Sequence, residues 1–152
     1  MVFLQDDMKT NSCIFCSIVS GVLKASLVFE NSSFLAFLDR YPFTLGHTLV
    51  IPKKHFEDIL QMSDAEVGRL YCIVSLIAKT ISKTVKAEGL NIGQNNGRAA
   101  NQIVPHVHVH IIPRFTNQQN MNGRWPLRRP AKDEELEELS KKIRTALPPS
   151  YK

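Results

Sequence analysis

Residues 106–114 read HVHVHIIPR, and the alternation of histidines with aliphatic residues along this stretch is typical of a β-strand. Successive side chains of a β-strand point to opposite faces of a sheet. We therefore predict a strand that begins after Pro105, with Val107, Val109 and Ile111 facing the core. The histidines share the other face and line a cleft. They are His106, His108 and His110.

The segments around this strand predict an α+β domain built on an antiparallel sheet. Short apolar runs at 27–29 and 34–38, separated by Glu-Asn-Ser-Ser, indicate a β-hairpin. A third strand at 48–51 stops at Pro52, and a short strand at 90–93 precedes a loop rich in Gly and Asn. With a helix between the third and fourth strands, the order is β-β-β-α-β-β, which favours an antiparallel sheet.

The sequence predicts two helices, and a third, shorter segment indicates a helix or a turn. Ser63 and Glu66 form a capping box, and an apolar stripe at helical spacing follows as far as Gly89. A second amphipathic helix covers 133–146, with acidic residues in its first turn and basic residues near its end, as suits a helix dipole. The segment CIFCSIVSG at 13–21 indicates a short helix or turn closed by glycine.

The totals fit one domain in a reducing compartment. A chain of 152 residues is about one domain long, and three cysteines, an odd number, argue against a disulfide framework. The first residues show no secretory signal, and the longest apolar stretch, at 70–78, is too short to span a bilayer. We expect a cytoplasmic protein, with the nucleus as a second compartment if the cell has one, and no membrane partner.

The net charge of +5 is concentrated near the carboxyl end of the chain. Between Arg114 and Lys132 there are five basic residues and no acidic one. We interpret this segment as a solvated tail, and we do not expect it to bind nucleic acid.

Three interpretations of the histidine row follow from the residues alone. One is an exposed face with no task. Another is a metal site, although histidines spaced about 6.7 Å apart along a strand do not readily meet at one zinc ion. The third, which the pattern favours, is catalysis: a neutral imidazole attacks phosphorus while a neighbouring imidazolium stabilises phosphate oxygens. Amide donors for a phosphate stand just upstream, at positions 94–102.

The motif His-φ-His-φ-His-φ-φ at 106–112 resembles the signature of the histidine triad (HIT) superfamily. Four further segments agree with its Hint-like branch in the same order, and the resemblance covers about Cys13 to Phe115. They are CIFCSI (13–18), FLAFLD (34–39), GHTLVIPKKH (46–55) and LNIGQNNG (90–97). The resemblance implies a HIT fold: a five-stranded antiparallel sheet with one long helix and a C-terminal helix, with two sheets joined across a homodimer.

The same resemblance implies domain bounds. We expect a flexible N-terminal tail at 1–12 and a HIT domain at 13–115. A C-terminal extension at 116–152 packs on that domain or on the dimer partner.

The resemblance also implies roles for individual residues. His108 matches the nucleophile that forms a nucleotidyl-histidine intermediate, and His110 matches the residue that contacts the α-phosphate and assists the leaving group. His47 matches a histidine that hydrogen-bonds within the triad and helps to set the tautomer of the nucleophile. Asp39 matches the carboxylate that holds the ribose hydroxyls.

The remaining nucleotide contacts are implied in the same way. The base pocket is expected to be walled by Phe15, Ile18 and Phe37, each of which could equally be plain core. Asn95 and Gln102 match amide donors on the phosphate side. The chain departs from the family beside Gln102: Asn101 replaces a small residue, and Ile103 replaces a serine or threonine.

A structural zinc site is implied as well. Some bacterial relatives bind zinc through a Cys-x-x-Cys pair, the histidine after Ile-Pro-Lys and the first triad histidine. The matching ligands are Cys13, Cys16, His55 and His106. No organic cofactor is expected.

Together these features predict an enzyme that cleaves purine nucleoside 5′-phosphoramidates or acyl-adenylates at the α-phosphate. Its expected partners are a purine nucleotide and a second copy of the chain. One alternative is a dinucleoside polyphosphate hydrolase, and another is a nucleotide-binding interaction module with little catalysis.

Overall fold

The structure, a computed structural model, describes residues 13–117 and 128–151. The predicted tail at 1–12 and part of the C-terminal extension, 118–127, lie outside the described residues. Five strands form one antiparallel sheet in the order β1-β2-β3-β5-β4. The strands are β1 (Leu27–Glu30), β2 (Phe34–Leu38), β3 (Thr48–Pro52), β4 (Gly89–Gly93) and β5 (Val109–Arg114).

The helices confirm the predicted α+β class. They are α1 (Ile14–Val19), α2 (Asp64–Val85) and α3 (Asp133–Ala146), and short 3₁₀ turns occur at 59–61, 98–100 and 149–151. Ser63 and Glu66 form the predicted capping box at the start of α2. The helix ends where Lys86 adopts a left-handed conformation with φ of 55°.

The two faces of the sheet carry different groups. Val50, Val109 and Ile111 are fully buried on the face that packs against α2 and α3. On the opposite face, Leu49 lies directly across from His110 in the β3–β5 pairing. The catalytic candidates therefore lie on the face of the sheet that is turned away from the two long helices. The aliphatic side chains of β5 fill the core on the other face.

The histidine strand begins later than the sequence predicts. Only His110 lies within β5, which starts at Val109 rather than after Pro105. The backbone before it bonds outside the sheet: the N–H of Val107 donates to Phe56 O at 2.7 Å. The side chain of Val107 nevertheless stays in the core, so the alternation continues past the end of the strand.

The described part of the C-terminal extension packs on the domain of the same chain. Ile143 of α3 is fully buried and Leu147 nearly so, both in the main core. Arg144 donates to the backbone oxygen of Leu27 in β1 at 2.5 Å. Among residues 13–117 and 128–151, no helix is both long and apolar enough to cross a bilayer.

Candidate active site

The hydrogen bond of His108 fixes its tautomer. Its Nδ1 lies 2.7 Å from the backbone oxygen of His106. A carbonyl oxygen can only accept, so Nδ1 carries the proton and Nε2 keeps a free lone pair. Burial lowers the pKa of His108 below its ordinary value, and the charge of Asp39 opposes that shift. At neutral pH the side chain is therefore a neutral imidazole with an available nitrogen.

His110 is fixed in the opposite tautomer by His47. The N–H of Phe43 donates to His47 Nδ1 at 3.1 Å, so the proton of His47 resides on Nε2. That Nε2–H donates to His110 Nδ1 at 2.9 Å, which leaves His110 with its own proton on Nε2. The rings of His110 and His108 lie 5.0 Å apart between centroids. A nucleophilic nitrogen and an N–H donor thus belong to neighbouring rings.

This geometry differs from the role expected for His47. The resemblance implied that His47 hydrogen-bonds within the triad and helps to set the tautomer of the nucleophile. It does bond to a triad histidine, but that histidine is His110 and not His108. A backbone carbonyl orients His108 instead. That partner could not be identified from residue types, because every residue carries the same carbonyl.

Burial keeps this cluster uncharged. It lowers the pKa of His47 to about 3, with further lowering from His110 and Arg128. The pKa of His110 falls to about 4, again chiefly through burial and then through the charge of His108. In the ligand-free protein His110 is therefore a neutral N–H donor, not the imidazolium considered from the sequence.

Open space lies beside His110. Gly93 is its direct partner in the β4–β5 pairing, and a Cβ placed on Gly93 would meet no atom within 4 Å. Glycine inside a strand often marks a close approach by a ligand. Gly93 therefore borders the candidate site. It was not predicted from the sequence, although a glycine in a short predicted strand was a visible signal.

Asp39 follows the last residue of β2 and lies close to the histidines. Its Oδ1 accepts from the N–H of Tyr41 at 2.8 Å, and its Oδ2 lies 3.6 Å from His47 Nδ1. The guanidinium of Arg128 donates to the same Oδ2. Burial raises the pKa of Asp39, whereas the Tyr41 hydrogen bond and Arg128 lower it. Arg128 was not predicted as a site residue, because it belongs to the basic segment interpreted as a solvated tail.

The expected base-pocket residues are placed together. The ring of Phe15 meets Phe37 edge-on at 5.7 Å and His108 at 5.2 Å. Phe15 and Phe37 are buried, and Ile18 is half-buried in the same apolar cluster. This cluster lies on the histidine face of the sheet, so an apolar wall adjoins His108.

The two expected amide donors are used differently. Gln102 accepts from the N–H of Gly97 at 2.6 Å, and its amide donates to the backbone oxygens of Glu57 and Val104. Both amide hydrogens of Gln102 thus have partners within the protein, where they hold the loop at 97–104 in place. Asn95 is exposed, and its amide donates to Asn101 O at 3.3 Å.

The departures from the family pattern have separate explanations. Asn101 adopts a left-handed conformation with φ of 62°, which asparagine tolerates better than most residues. An asparagine can therefore replace a smaller residue at that position. Ile103 is 86% exposed, so this large apolar side chain contributes nothing to the core.

The four expected zinc ligands come together. His106 Nε2 lies 2.8 Å from the backbone oxygen of Pro52, so the proton is on Nε2 and the lone pair is on Nδ1. That Nδ1 lies 3.5 Å from Cys13 Sγ and 3.6 Å from Cys16 Sγ. His55 Nδ1 lies 3.3 Å from Cys16 Sγ.

The donor set fits zinc. All four potential ligand atoms lie within 4.8 Å of one another. Two thiols and two imidazoles are a usual set for a tetrahedral structural zinc, and the carbonyl on the far side of His106 is the usual outer partner of such a ligand. Burial and the neighbouring Cys13 raise the pKa of Cys16 to about 12, and a bound cation would reverse this shift.

The chain matches a known domain family and resembles a named enzyme. The profile of the HIT domain matches residues 20–117. The chain is 40% identical to the adenosine 5′-monophosphoramidase of Schizosaccharomyces pombe over 137 residues, which cover 88% of this chain and 99% of that protein. Both are thus similar over nearly their full lengths.

Two solved structures are also similar. A hypothetical histidine triad nucleotide-binding protein from Sulfolobus tokodaii superposes with a TM-score of 0.80 at 41% identity, covering 88% of this chain and 91% of that one. A zinc-bound histidine triad family protein from Mycobacterium smegmatis gives a TM-score of 0.78 at 37% identity, covering 90% and 94%.

Proposed function

The chain belongs to the HIT domain family, and we propose that it hydrolyses purine nucleoside 5′-phosphoramidates or acyl-adenylates at the α-phosphate. The observation that carries the proposal is the pair of opposite tautomers at the centre of the site. His108 keeps a lone pair on Nε2, and His110 presents an N–H from Nε2. Attack on phosphorus requires the first group, and stabilisation of phosphoryl oxygens uses the second.

The reaction proceeds in two steps. The Nε2 lone pair of His108 forms a bond to the α-phosphorus. The bond that breaks joins phosphorus to the amine nitrogen of a phosphoramidate, or to the carboxylate oxygen of an acyl-adenylate, which leaves as a carboxylate. A departing amine takes its proton from water. Water then attacks the phosphorus, the bond to His108 breaks, and the nucleoside monophosphate leaves with the oxygen that water supplied.

The neighbouring residues hold the substrate during both steps. The Nε2–H of His110 donates to an α-phosphoryl oxygen, and His47 keeps that hydrogen bond correctly oriented. Asp39 accepts hydrogen bonds from the ribose hydroxyls, and the apolar cluster around Phe15 packs against the purine. The open space at Gly93 leaves room for the phosphate beside β5.

Purified protein incubated with adenosine 5′-phosphoramidate tests the proposal. The wild type is expected to release AMP, and His108→Ala should reduce kcat by at least about 10³-fold, the scale on which loss of a nucleophile acts. Tyr151→Ala, an exposed change on the C-terminal turn, provides a control that should keep full activity. Full activity in His108→Ala would exclude the mechanism.

The same assay separates the alternatives. Preferential turnover of diadenosine polyphosphates would indicate a dinucleoside polyphosphate hydrolase. Tight AMP binding without turnover of any substrate would indicate an interaction module.

A structural zinc ion belongs to this proposal. Cys13, Cys16, His55 and His106 would hold it, and the similar M. smegmatis protein is zinc-bound. The ion would tie α1 to the segment after β3 and to the start of the histidine row. Its role is to stabilise the fold near the nucleophile, because the backbone oxygen that orients His108 belongs to His106.

We also propose that the chain forms a homodimer through β4. This strand is at the edge of the sheet, and its outer side pairs with no strand among the described residues. Beside it, a groove of about 690 Å³ between α2 and β4 is lined by Tyr71, Val74, Leu90 and Ile92. An unpaired edge next to exposed apolar side chains fits a second copy whose own β4 continues the sheet.

A further inference from the structure

The guanidinium of Arg128 binds the carboxylate of Asp39, the group that is proposed above to bind the ribose. It donates to Asp39 Oδ2, and its Nε donates to the backbone oxygen of Tyr41 at 2.5 Å. Its central carbon lies 4.5 Å from the centroid of the Phe43 ring. Three different contacts therefore hold one arginine in this place, although the segment around it was expected to be solvated.

Contacts between the loop after β2 and the segment that leads into α3 support this placement of Arg128. The N–H of Ala131 donates to the backbone oxygen of Arg40 at 2.9 Å. The side chain of Arg40 in turn lies 3.5 Å from Asp133, the first residue of α3. These contacts fix the backbone three residues beyond Arg128 against the loop that begins with Asp39.

Arg128 restricts access to the carboxylate of Asp39. One oxygen of Asp39 accepts from the N–H of Tyr41, and the other accepts from Arg128. The Asp39 side chain is only 10% exposed, against 33% for Arg128, so the arginine covers it from the solvent side. Because Arg128 lies between the Asp39 carboxylate and solvent, a ribose that approaches this carboxylate from solvent displaces the guanidinium.

We propose that Arg128 competes with the ribose of the nucleotide for Asp39 and so sets the affinity of the site for nucleosides. The inference rests on the proposed function, because it takes Asp39 as the ribose-binding group. It adds a specificity-determining residue from the C-terminal extension. A ligand must supply enough binding energy elsewhere, through its base and phosphate, to release the arginine.

Adenosine is the appropriate probe, because it carries the ribose but no charge. A phosphate would be attracted by Arg128, so loss of the arginine would have two opposing effects on AMP. With adenosine only the competition remains. Inorganic phosphate reports the attraction alone, and the two ligands should therefore respond in opposite directions.

The experiment measures adenosine and phosphate binding by calorimetry to the full-length chain. Arg128→Met keeps an apolar stem beside Phe43 without the charge, and Arg128→Ala removes the side chain. Both should bind adenosine about threefold to tenfold more tightly than the wild type, as expected for loss of a partly exposed, charge-assisted pair. Arg129→Met is the matched control: it removes the same charge from the next, exposed residue and should leave adenosine affinity unchanged.

Salt and a second background sharpen the test. Raising sodium chloride from about 0.05 M to about 0.5 M screens the ion pair, so it should improve adenosine binding to the wild type but not to Arg128→Met. In an Asp39→Asn background, Arg128→Met should have no effect on adenosine binding.

Two results would overturn the competition. One is equal adenosine affinity in the wild type and both Arg128 variants, and the other is no adenosine binding by any of them. If Arg128→Ala unfolds, Arg128→Met decides. Failure of the hydrolase activity is a separate result: tighter adenosine binding by the Arg128 variants would still support the competition even if no substrate is turned over.

Discussion

At the scale of single residues, the chemistry depends on which nitrogen of each histidine carries the proton. His108 and His110 are alike in type and lie two positions apart, yet different acceptors give them opposite tautomers. One can attack phosphorus because its partner is a carbonyl oxygen that only accepts. The other can donate because His47 already supplies a proton to its Nδ1.

This account predicts a specific defect when His47 is removed. His47→Ala leaves His110 without its donor, so the Nε2–H is no longer fixed toward the phosphate. We expect kcat for adenosine 5′-phosphoramidate to fall by about 10- to 100-fold, the usual effect of losing an orienting partner, with a smaller change in KM. Steady-state kinetics on the folded variant measure the effect.

His47→Gln provides the comparison. Its amide can accept from Phe43 and donate to His110, so part of the lost kcat should return. Equal loss in the two variants, or a change confined to KM, would contradict a positioning role for His47.

The predictability of the site also differs from residue to residue. The histidine motif and the family resemblance predicted His108, His110 and the four zinc candidates, and the structure places the members of each group close together. The partner of His47 and the use of Gln102 inside a loop could not be predicted from motifs, since both depend on which backbone groups come near. Arg128 was missed for the same reason: its contact with Asp39 joins positions 89 residues apart.

At the scale of elements, local signals predicted most of the fold. The Ser63 capping box marked the start of α2, and alternation marked the strands. The start of β5 was wrong by several residues, because Val107 keeps its buried side chain while its N–H leaves the sheet for Phe56 O. Side-chain pattern reports burial, and hydrogen bonding of the backbone decides where a strand begins.

The proposed zinc site links elements that the sheet alone does not connect. Cys16→Ser should lower bound zinc to a small fraction of one ion per chain and reduce the midpoint of thermal unfolding, because structural zinc contributes directly to folding. Elemental analysis by mass spectrometry and a thermal scan measure both. Cys72→Ser, at an exposed cysteine of α2, is the matched control and should retain zinc.

Stoichiometric zinc in Cys16→Ser would contradict this ligand assignment. So would equal loss of zinc in the Cys72→Ser control.

The edge strand β4 carries the prediction for assembly. Ile92 is 47% exposed and lines the groove beside α2, so Ile92→Lys would place a charge in the proposed dimer interface. We expect the wild type to have the mass of two chains by light scattering and the variant to shift toward one chain. Leu60→Lys, at an exposed leucine away from this groove, should leave the mass unchanged. A wild type with the mass of a single chain would refute the dimer.

At the scale of the whole molecule, buried neutral histidines make stability depend on pH. The pKa of His47 is about 3 in the folded protein, and burial is the main cause. The ordinary value in an unfolded chain is about 6.5. The unfolded state therefore binds more protons between these values, so this contribution is present above about pH 6.5 and is lost as the pH falls.

The expected loss in the free energy of unfolding follows from the pH range over which only unfolded His47 binds a proton. Between pH 7 and pH 5 the loss is on the order of 2 kcal/mol for His47 alone, at about 1.4 kcal/mol per unit below 6.5. The groups that face it are His110, Arg128, Arg114 and Asp39, and three of them add to the lowering of its pKa.

Urea denaturation at both pH values, with equal zinc, measures the loss of stability. His47→Gln should lose about 2 kcal/mol less than the wild type between pH 7 and pH 5. Identical losses in the two proteins would show that His47 is not the group that titrates.

The proposed mechanism requires the Nε2 of His108 to form a covalent bond to the α-phosphorus. Rapid quenching of the wild type during turnover of adenosine 5′-phosphoramidate, followed by peptide mapping, tests this most directly. We expect an AMP adduct on the peptide that contains His108, and no adduct in His108→Ala. AMP release without an adduct on that peptide, together with undiminished turnover by His108→Ala, would contradict this mechanism.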